Sequence, residues 1–153
     1  MRALIQRVSE GAVDIPSHNY KAEIKHGMVI LLGICESDTV SEVNYVAEKC
    51  SNLRIFEDNN EKINLSLKNI TGEVLLISQF TLCGDTRKGN RPSFNKAARP
   101  EVAEHLYKLF AKRLKLLIGD PNVKEGIFGA MMKVKIVNDG PVTVLVESKE
   151  NHL

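Results

Sequence analysis

Three short stretches hold residues whose types and spacing suit chemistry. Ser78-Gln79-Phe80-Thr81 closes an apolar run, Val74-Leu75-Leu76-Ile77. It offers two hydroxyls and a carboxamide where a strand feeds a loop, a common place for a site. The following loop holds Arg87, Lys88 and Arg91, with Gly89 between them. Cations so grouped suit phosphate, and glycine lets the backbone come close; a solvated charged loop has the same composition. The third stretch, Asp139-Gly140-Pro141-Val142, separates Lys133-Val134-Lys135-Ile136-Val137 from Val142-Thr143-Val144-Leu145-Val146. Proline gives no N–H to a ladder, and X–Pro is the junction where a cis bond costs least. Gly140 and Pro141 therefore place two carbonyls on a stiff, bent element, which by itself reads as a tight turn between two strands.

Ester hydrolases commonly combine a nucleophile, a base and a group that orients the base. No G-x-S-x-G elbow occurs here. Ser78 and Thr81 have the hydroxyls, but no His or Asp lies near them in sequence as an obvious partner. A partner brought by the fold stays open, as does the plain reading of Thr81 as a β-branched strand residue.

Composition narrows the classes. The chain has 153 residues, 43% hydrophobic and 26% charged, which suits one globular domain over 1–153. Lys and Arg number 21 against 19 Asp and Glu, a net charge of +2, so nucleic-acid contact has to come from local patches. Aromatics are 5% and Trp is absent, which disfavours a stacking platform for single strands. No long apolar stretch marks a leader or a membrane span. Cys35, Cys50 and Cys83 are odd in number and unpaired in spacing, pointing to reduced thiols and a cytoplasmic location. His18, His26, His105 and His152 are scattered, so neither a metal nor another cofactor is expected.

The elements that must position these residues can be read from periodicity. Arg2 to Ser9 alternates as a strand, Glu10-Gly11 reads as a turn, and Ala12 to Ile15 as a second strand. Pro16 to Asn19 is a loop tip, Tyr20 to Ile24 pairs again, and His26-Gly27 turns. Met28 to Ile34 is apolar throughout, hence a central buried strand. Thr39 and Glu42 form a capping-box pair ahead of Val43, Val46, Ala47 and Cys50, predicting a helix over 39–52. Leu53 to Phe56 reads as a short strand, Ile63 to Leu67 is ambiguous, and Glu73 to Phe80 is a strand. A long basic loop, 83–98, precedes Pro100 at a helix start. Val102, Leu106, Leu109, Phe110, Leu114 and Leu117 then mark one face, until Gly119-Asp120-Pro121 stops the helix. Lys108, Lys112, Arg113 and Lys115 belong to the solvated side. Val123 to Phe128 is a loop or short strand. The expectation is an α+β fold: a mostly antiparallel or mixed, barrel-like sheet with two main helices.

Taken together, SQFTL, the loop GDTRKGNRPSF and NDGPVT resemble the D-aminoacyl-tRNA deacylases. The similarity extends to Met1-Arg2-Ala3-Leu4-Ile5-Gln6-Arg7-Val8 and Gly126-Ile127-Phe128-Gly129-Ala130-Met131, and so spans essentially the whole chain. It implies hydrolysis of the ester of D-aminoacyl-tRNA, with no covalent nucleophile. The ester is activated and has its own vicinal 2′-hydroxyl, so backbone N–H groups of Phe80 and Thr81 suffice for the oxyanion, with Gln79 and Ser78 orienting. It implies a homodimer in which Gly140 and cis-Pro141 of one subunit enter the other's site, hold the α-ammonium and bar an L side chain. Arg7 matches the arginine that holds this element, and Phe128 and Met131 match the pocket for the terminal adenine. Arg87, Lys88 and Arg91 would meet the tRNA backbone. Since glycine has no Cβ, glycyl-tRNA is expected to be a substrate as well. A related class that cleaves some L-esters has different words at both motifs; this chain has the D-type words. No membrane or DNA contact is expected. Two rivals stand beside this reading: a Thr81-dependent covalent esterase and a non-catalytic tRNA-binding module.

Overall fold

β1 (Arg2–Ile15) is one long strand that changes neighbours half-way. Its first half pairs antiparallel with β3 (Gly27–Gly33), from Arg2↔Gly33 to Val8↔Gly27. Its second half pairs with β2 (Tyr20–Ile24), from Gly11↔Ile24 to Ile15↔Tyr20. Glu10-Gly11 is therefore no turn. It marks the change of partner within a continuous strand, where Ser9 and Glu10 are exposed. In this computed structural model the described residues are 1–148. His152, and the end of the domain expected over 1–153, lie outside them.

After β3 come α1 (Val40–Asn52), β4 (Phe56–Glu57), β5 (Ile63–Leu65) and α2 (Leu67–Ile70). Next are β6 (Glu73–Ser78), a 3-10 turn Phe80–Cys83, α3 (Pro100–Ile118), β7 (Val123–Glu125) and β8 (Lys133–Glu147). Thr39 caps α1 with Glu42 completing the box. The ambiguous 63–67 stretch splits between β5 and the single turn of α2, whose own box is Ser66 with Asn69. The expected strand to Phe80 ends at Ser78, because the chain tightens there into the 3-10 turn.

The main sheet runs β2-β1-β3-β6-β7, with β8 on the far edge of β1. β3/β6 and β6/β7 are parallel and the pairs of β1 are antiparallel, so the sheet is mixed. The apolar runs of β3 and β6 follow from burial on both faces. Met28, Ile30, Leu32, Val74 and Leu76 face one core, with α1 and α3 over it. Val29, Leu75 and Ile77 face the other, with Val8, Val13, Ile15 and Ile24. α3 contributes Ala103, Leu106, Tyr107, Phe110, Ala111 and Leu114, whereas Val102 is exposed. Tyr107 buries its ring and donates its hydroxyl to Leu76 O at 3.0 Å. Three of the four cations expected on the solvated side of α3 are paired: Lys108 with Glu104, Arg113 with Glu48, Lys115 with Glu125.

The expected turn at Asp139–Pro141 is also absent. The two β-branched runs do not pair with each other; both pair with β1, as one strand. Gln6 stands opposite Thr143 and Val8 opposite Asn138, so Asp139, Gly140, Pro141 and Val142 all face the single residue Arg7. The segment is an enlarged β-bulge, the usual device for re-aiming a strand and ending its pairing locally.

Candidate active site

A cavity of about 530 Å³ lies where β3 and β6 end. The C-terminal end of β6 supplies Ser78, the residue after it is Gln79, and the 3-10 turn supplies Phe80. The segment after β7 closes the other side with Phe128, Gly129, Ala130 and Met131. Five of the residues expected from sequence thus come together. None of the described residues lining this cavity is titratable.

The local fold explains how the motif is presented. Gln79 N donates to Leu32 O at 2.8 Å, tying the strand end to β3. Leu82 N returns to Gln79 O, and Gly84 N to Thr81 O, so the chain winds tightly after Gln79. The first amides of a helical turn have no acceptor within it; here they belong to Phe80 and Thr81. Gln79 Nε2 donates to Thr81 Oγ1 at 2.5 Å, locking amide and hydroxyl together. Thr81 itself is exposed. Phe80 is 58% exposed and stacks edge-on against Phe94, ring centroids 5.2 Å apart. Phe128 lies half-buried against Tyr107, while Met131 is 87% exposed, a rim rather than a wall.

Gly33 makes this packing possible. A Cβ there would stand 2.8 Å from Leu82 Cβ and 3.0 Å from Gln79 O, so the turn can only sit this close to β3 against glycine.

Arg7 is only 5% exposed, not a surface strand charge. Its Nε donates to Asp139 O at 2.9 Å and its Nη1 to Ile55 O at 2.9 Å. Glu57 Oε1 lies 3.7 Å from Nη2. The guanidinium therefore bolts the bulge of β8 to the segment leading into β4. Gly140 has φ +130°, and a Cβ on it would meet Arg7 Nη2 at 2.9 Å. The Gly140–Pro141 peptide bond is cis. Both residues are exposed and line neither this cavity nor a second one beyond the 3-10 turn.

Asn138 closes the bulge and was not singled out from sequence. Its Oδ1 accepts from Val142 N at 3.2 Å, and its Nδ2 donates to Thr143 Oγ1 at 2.9 Å. The available signal was an Asn directly ahead of Asp-Gly-Pro, a residue type that bonds nearby backbone. Phe94, too, was missed; a lone aromatic in a polar loop was its only sign.

The basic loop is apart from the first cavity. Arg87 lines the second one and is bound by Asp85, with Nε to Oδ1 at 2.9 Å. That contact holds the Asp85 carboxyl well below the usual carboxylate range. Lys88 and Arg91 are exposed. Among the described residues no group of His, Cys, Asp and Glu is placed to hold a metal, and no helix is long and apolar enough to cross a membrane.

The family model described as D-Tyr-tRNA(Tyr) deacylase matches residues 4–147, which includes every element around the cavity and the bulge. The chain belongs to that family. A D-aminoacyl-tRNA deacylase of Caldicellulosiruptor saccharolyticus is 53% identical over 150 residues, covering 98% of this chain and 99% of the relative. One from Flavobacterium psychrophilum is 50% identical over 149 residues, covering 97% and 98%. Among solved structures, a c-Myc DNA unwinding element binding protein superposes with a TM-score of 0.92 at 39% identity, covering 97% of this chain and 99% of that one. A probable eukaryotic D-amino acid tRNA deacylase gives 0.83 at 16% identity, covering 95% and 97%, which speaks to fold alone. As a D-aminoacyl-tRNA deacylase the chain is a hydrolase acting on the aminoacyl-tRNA ester.

Proposed function

We propose that this deacylase proofreads chirality with main-chain groups, in a site shared across a homodimer. The observation behind this reading is the cavity itself: Ser78, Gln79 and Phe80 face Phe128 and Met131 with no titratable side chain among the described lining residues. Water adds to the ester carbonyl, the amides of Phe80 and Thr81 take the developing oxyanion, and Gln79 orients the substrate. The ribose 3′-oxygen leaves with a proton, assisted by its neighbouring 2′-hydroxyl. Phe128 and Met131 bracket the terminal adenine. Exposed Lys88 and Arg91, with Arg87, meet phosphates of the acceptor end.

Handedness is read by Gly140 and Pro141 of the other subunit. They sit on a bulge fixed by Arg7 and Asn138, are exposed, and do not line their own cavity. Such an element suits insertion elsewhere, and the neighbouring β8 residues Val137 and Leu145 leave apolar surface exposed at the same edge. The carbonyls grip the α-ammonium, which all amino acids share, and fill the space that an L-Cβ needs. Glycyl-tRNA escapes this exclusion. The protein would work in the cytoplasm, with charged tRNA.

The test is a turnover comparison on D-tyrosyl-, L-tyrosyl- and glycyl-tRNA. Cleavage of the D and glycyl esters with the L ester spared is the expected result. Cleavage of L-tyrosyl-tRNA with the other two spared would overturn the assignment, and tRNA binding without any turnover would favour a binding module.

A further inference from the structure

Cys35 and Cys83 lie far apart in sequence but meet in the fold. Cys83 ends the 3-10 turn that presents Phe80 and Thr81; Cys35 follows β3 and bridges to Ala97. Each thiol is the strongest influence on the ionisation of the other. Cys83 is 2% exposed, whereas Cys35 is half-buried. Both line the second cavity, about 620 Å³, together with Arg2, Asp38, Arg87 and Lys96. A small polar oxidant in that cavity reaches Cys35, the more exposed of the two, first. That is the arrangement of an attacking and a resolving thiol.

The surroundings favour the thiolate at the outer sulfur. The Cys83 thiol lowers the Cys35 thiol to about 7, helped by the N-terminal ammonium and Arg2, against burial and the Asp38 carboxylate. Cys83 is pushed the other way, chiefly by Cys35 and by burial. Cys50, fully buried in α1, is pushed up to about 12 by desolvation and serves as an inert reference.

We propose that Cys35 and Cys83 are a peroxide-sensitive dithiol, and that closing it to a disulfide lowers deacylation by displacing the 3-10 turn Phe80–Cys83. In the first step the Cys35 thiolate attacks one peroxide oxygen. The O–O bond breaks, leaving Cys35 as a sulfenic acid, and the departing hydroxide takes a proton to become water. In the second, Cys83 sulfur attacks Cys35 sulfur, the S–O bond breaks, and the thiol proton leaves with that oxygen as a second water. Two thiols lose two electrons to one hydrogen peroxide. A covalent bond is shorter than the thiol contact it replaces, so the end of the turn is drawn toward Cys35. Gly33 has no room even for a Cβ beside Leu82 and Gln79, so the turn cannot yield far toward β3 and the shift is passed to the amides of Phe80 and Thr81. The activity part of this proposal rests on those amides serving the oxyanion; the linkage part does not.

The test treats the full chain with hydrogen peroxide, maps peptides without reduction, and assays D-tyrosyl-tRNA before and after dithiothreitol. A Cys35–Cys83 peptide should appear, with turnover falling about ten- to a hundredfold, the scale of a misplaced catalytic group, and returning on reduction. Cys35→Ser should keep full activity with and without peroxide, and Cys83→Ser should form no link. Absence of the linked peptide, modification confined to Cys50, or linkage with unchanged turnover would each overturn the proposal. Failure of the chirality reading shows separately, as loss of D-over-L preference in the untreated protein.

Discussion

Thr81 and Gly140 are the residues at which the mechanism divides most sharply from its rivals. If Thr81 contributes its amide, the hydroxyl is dispensable, and its bond from Gln79 is a positioning contact. Thr81→Ala should then keep D-tyrosyl-tRNA turnover within about tenfold of wild type, whereas loss of a true nucleophile costs several orders of magnitude. Trapping an acyl-enzyme in the parent protein would decide for the covalent esterase. Gly140 is constrained twice, by φ +130° and by Arg7 Nη2, which stands 2.9 Å from a would-be Cβ. Gly140→Ala must move either the bulge or the guanidinium, at about 1–3 kcal/mol. The D-over-L ratio should fall by about tenfold or more, tenfold being the equivalent of 1.4 kcal/mol. Steady-state rates on paired D- and L-tyrosyl-tRNA measure it.

At the level of elements, the proposed site rests on the bulge in β8 and on the parallel contact of β3 with β6. Asn138→Ala removes the acceptor of Val142 N and the donor to Thr143. An orphaned, half-buried amide costs about 1–3 kcal/mol, so Tm should drop by a few degrees and chiral discrimination should weaken while tRNA affinity stays. Thermal melts and turnover together separate these effects. Gly27 lies where β3 meets β6, and a Cβ there would fall 1.9 Å from Glu73 O. Gly27→Ala should force the strands apart, at more than about 4 kcal/mol, read by urea unfolding. The two main helices and the central strands were legible in sequence, because capping boxes and apolar periodicity are local: α1 and β3 fall within a residue of expectation, whereas the single turn of α2 was not read. The two supposed turns were not legible either. Glu10-Gly11 and Asp139-Gly140-Pro141 have turn composition, yet each is a disturbance inside a strand kept continuous by a partner distant in sequence. Pairing over such separation leaves no mark in a local window. The motif at Ser78 to Thr81 was read correctly as a strand end; the cavity it shares with Phe128 depends on β6 and β7 lying side by side, which no spacing encodes.

For the whole molecule, the test of a shared site is complementation. Gly140→Ala and Gln79→Ala homodimers should each be weak on D-tyrosyl-tRNA. Mixed after mild dissociation, half of the dimers would be hybrids, each with one intact composite site. About a quarter of the wild-type rate should therefore return, as two-fold geometry requires. Purely additive residual rates would mean that every site is built within one chain. The architecture bears on synthesis too. β1 has its full set of neighbours only once β8 is in place, from Arg2↔Glu147 to Asp14↔Lys133. The earliest strand to leave the ribosome must wait for the final one. Until then its open edge needs shielding, and an incomplete nascent chain has neither a finished sheet nor the β8 bulge to which we assign the choice between enantiomers.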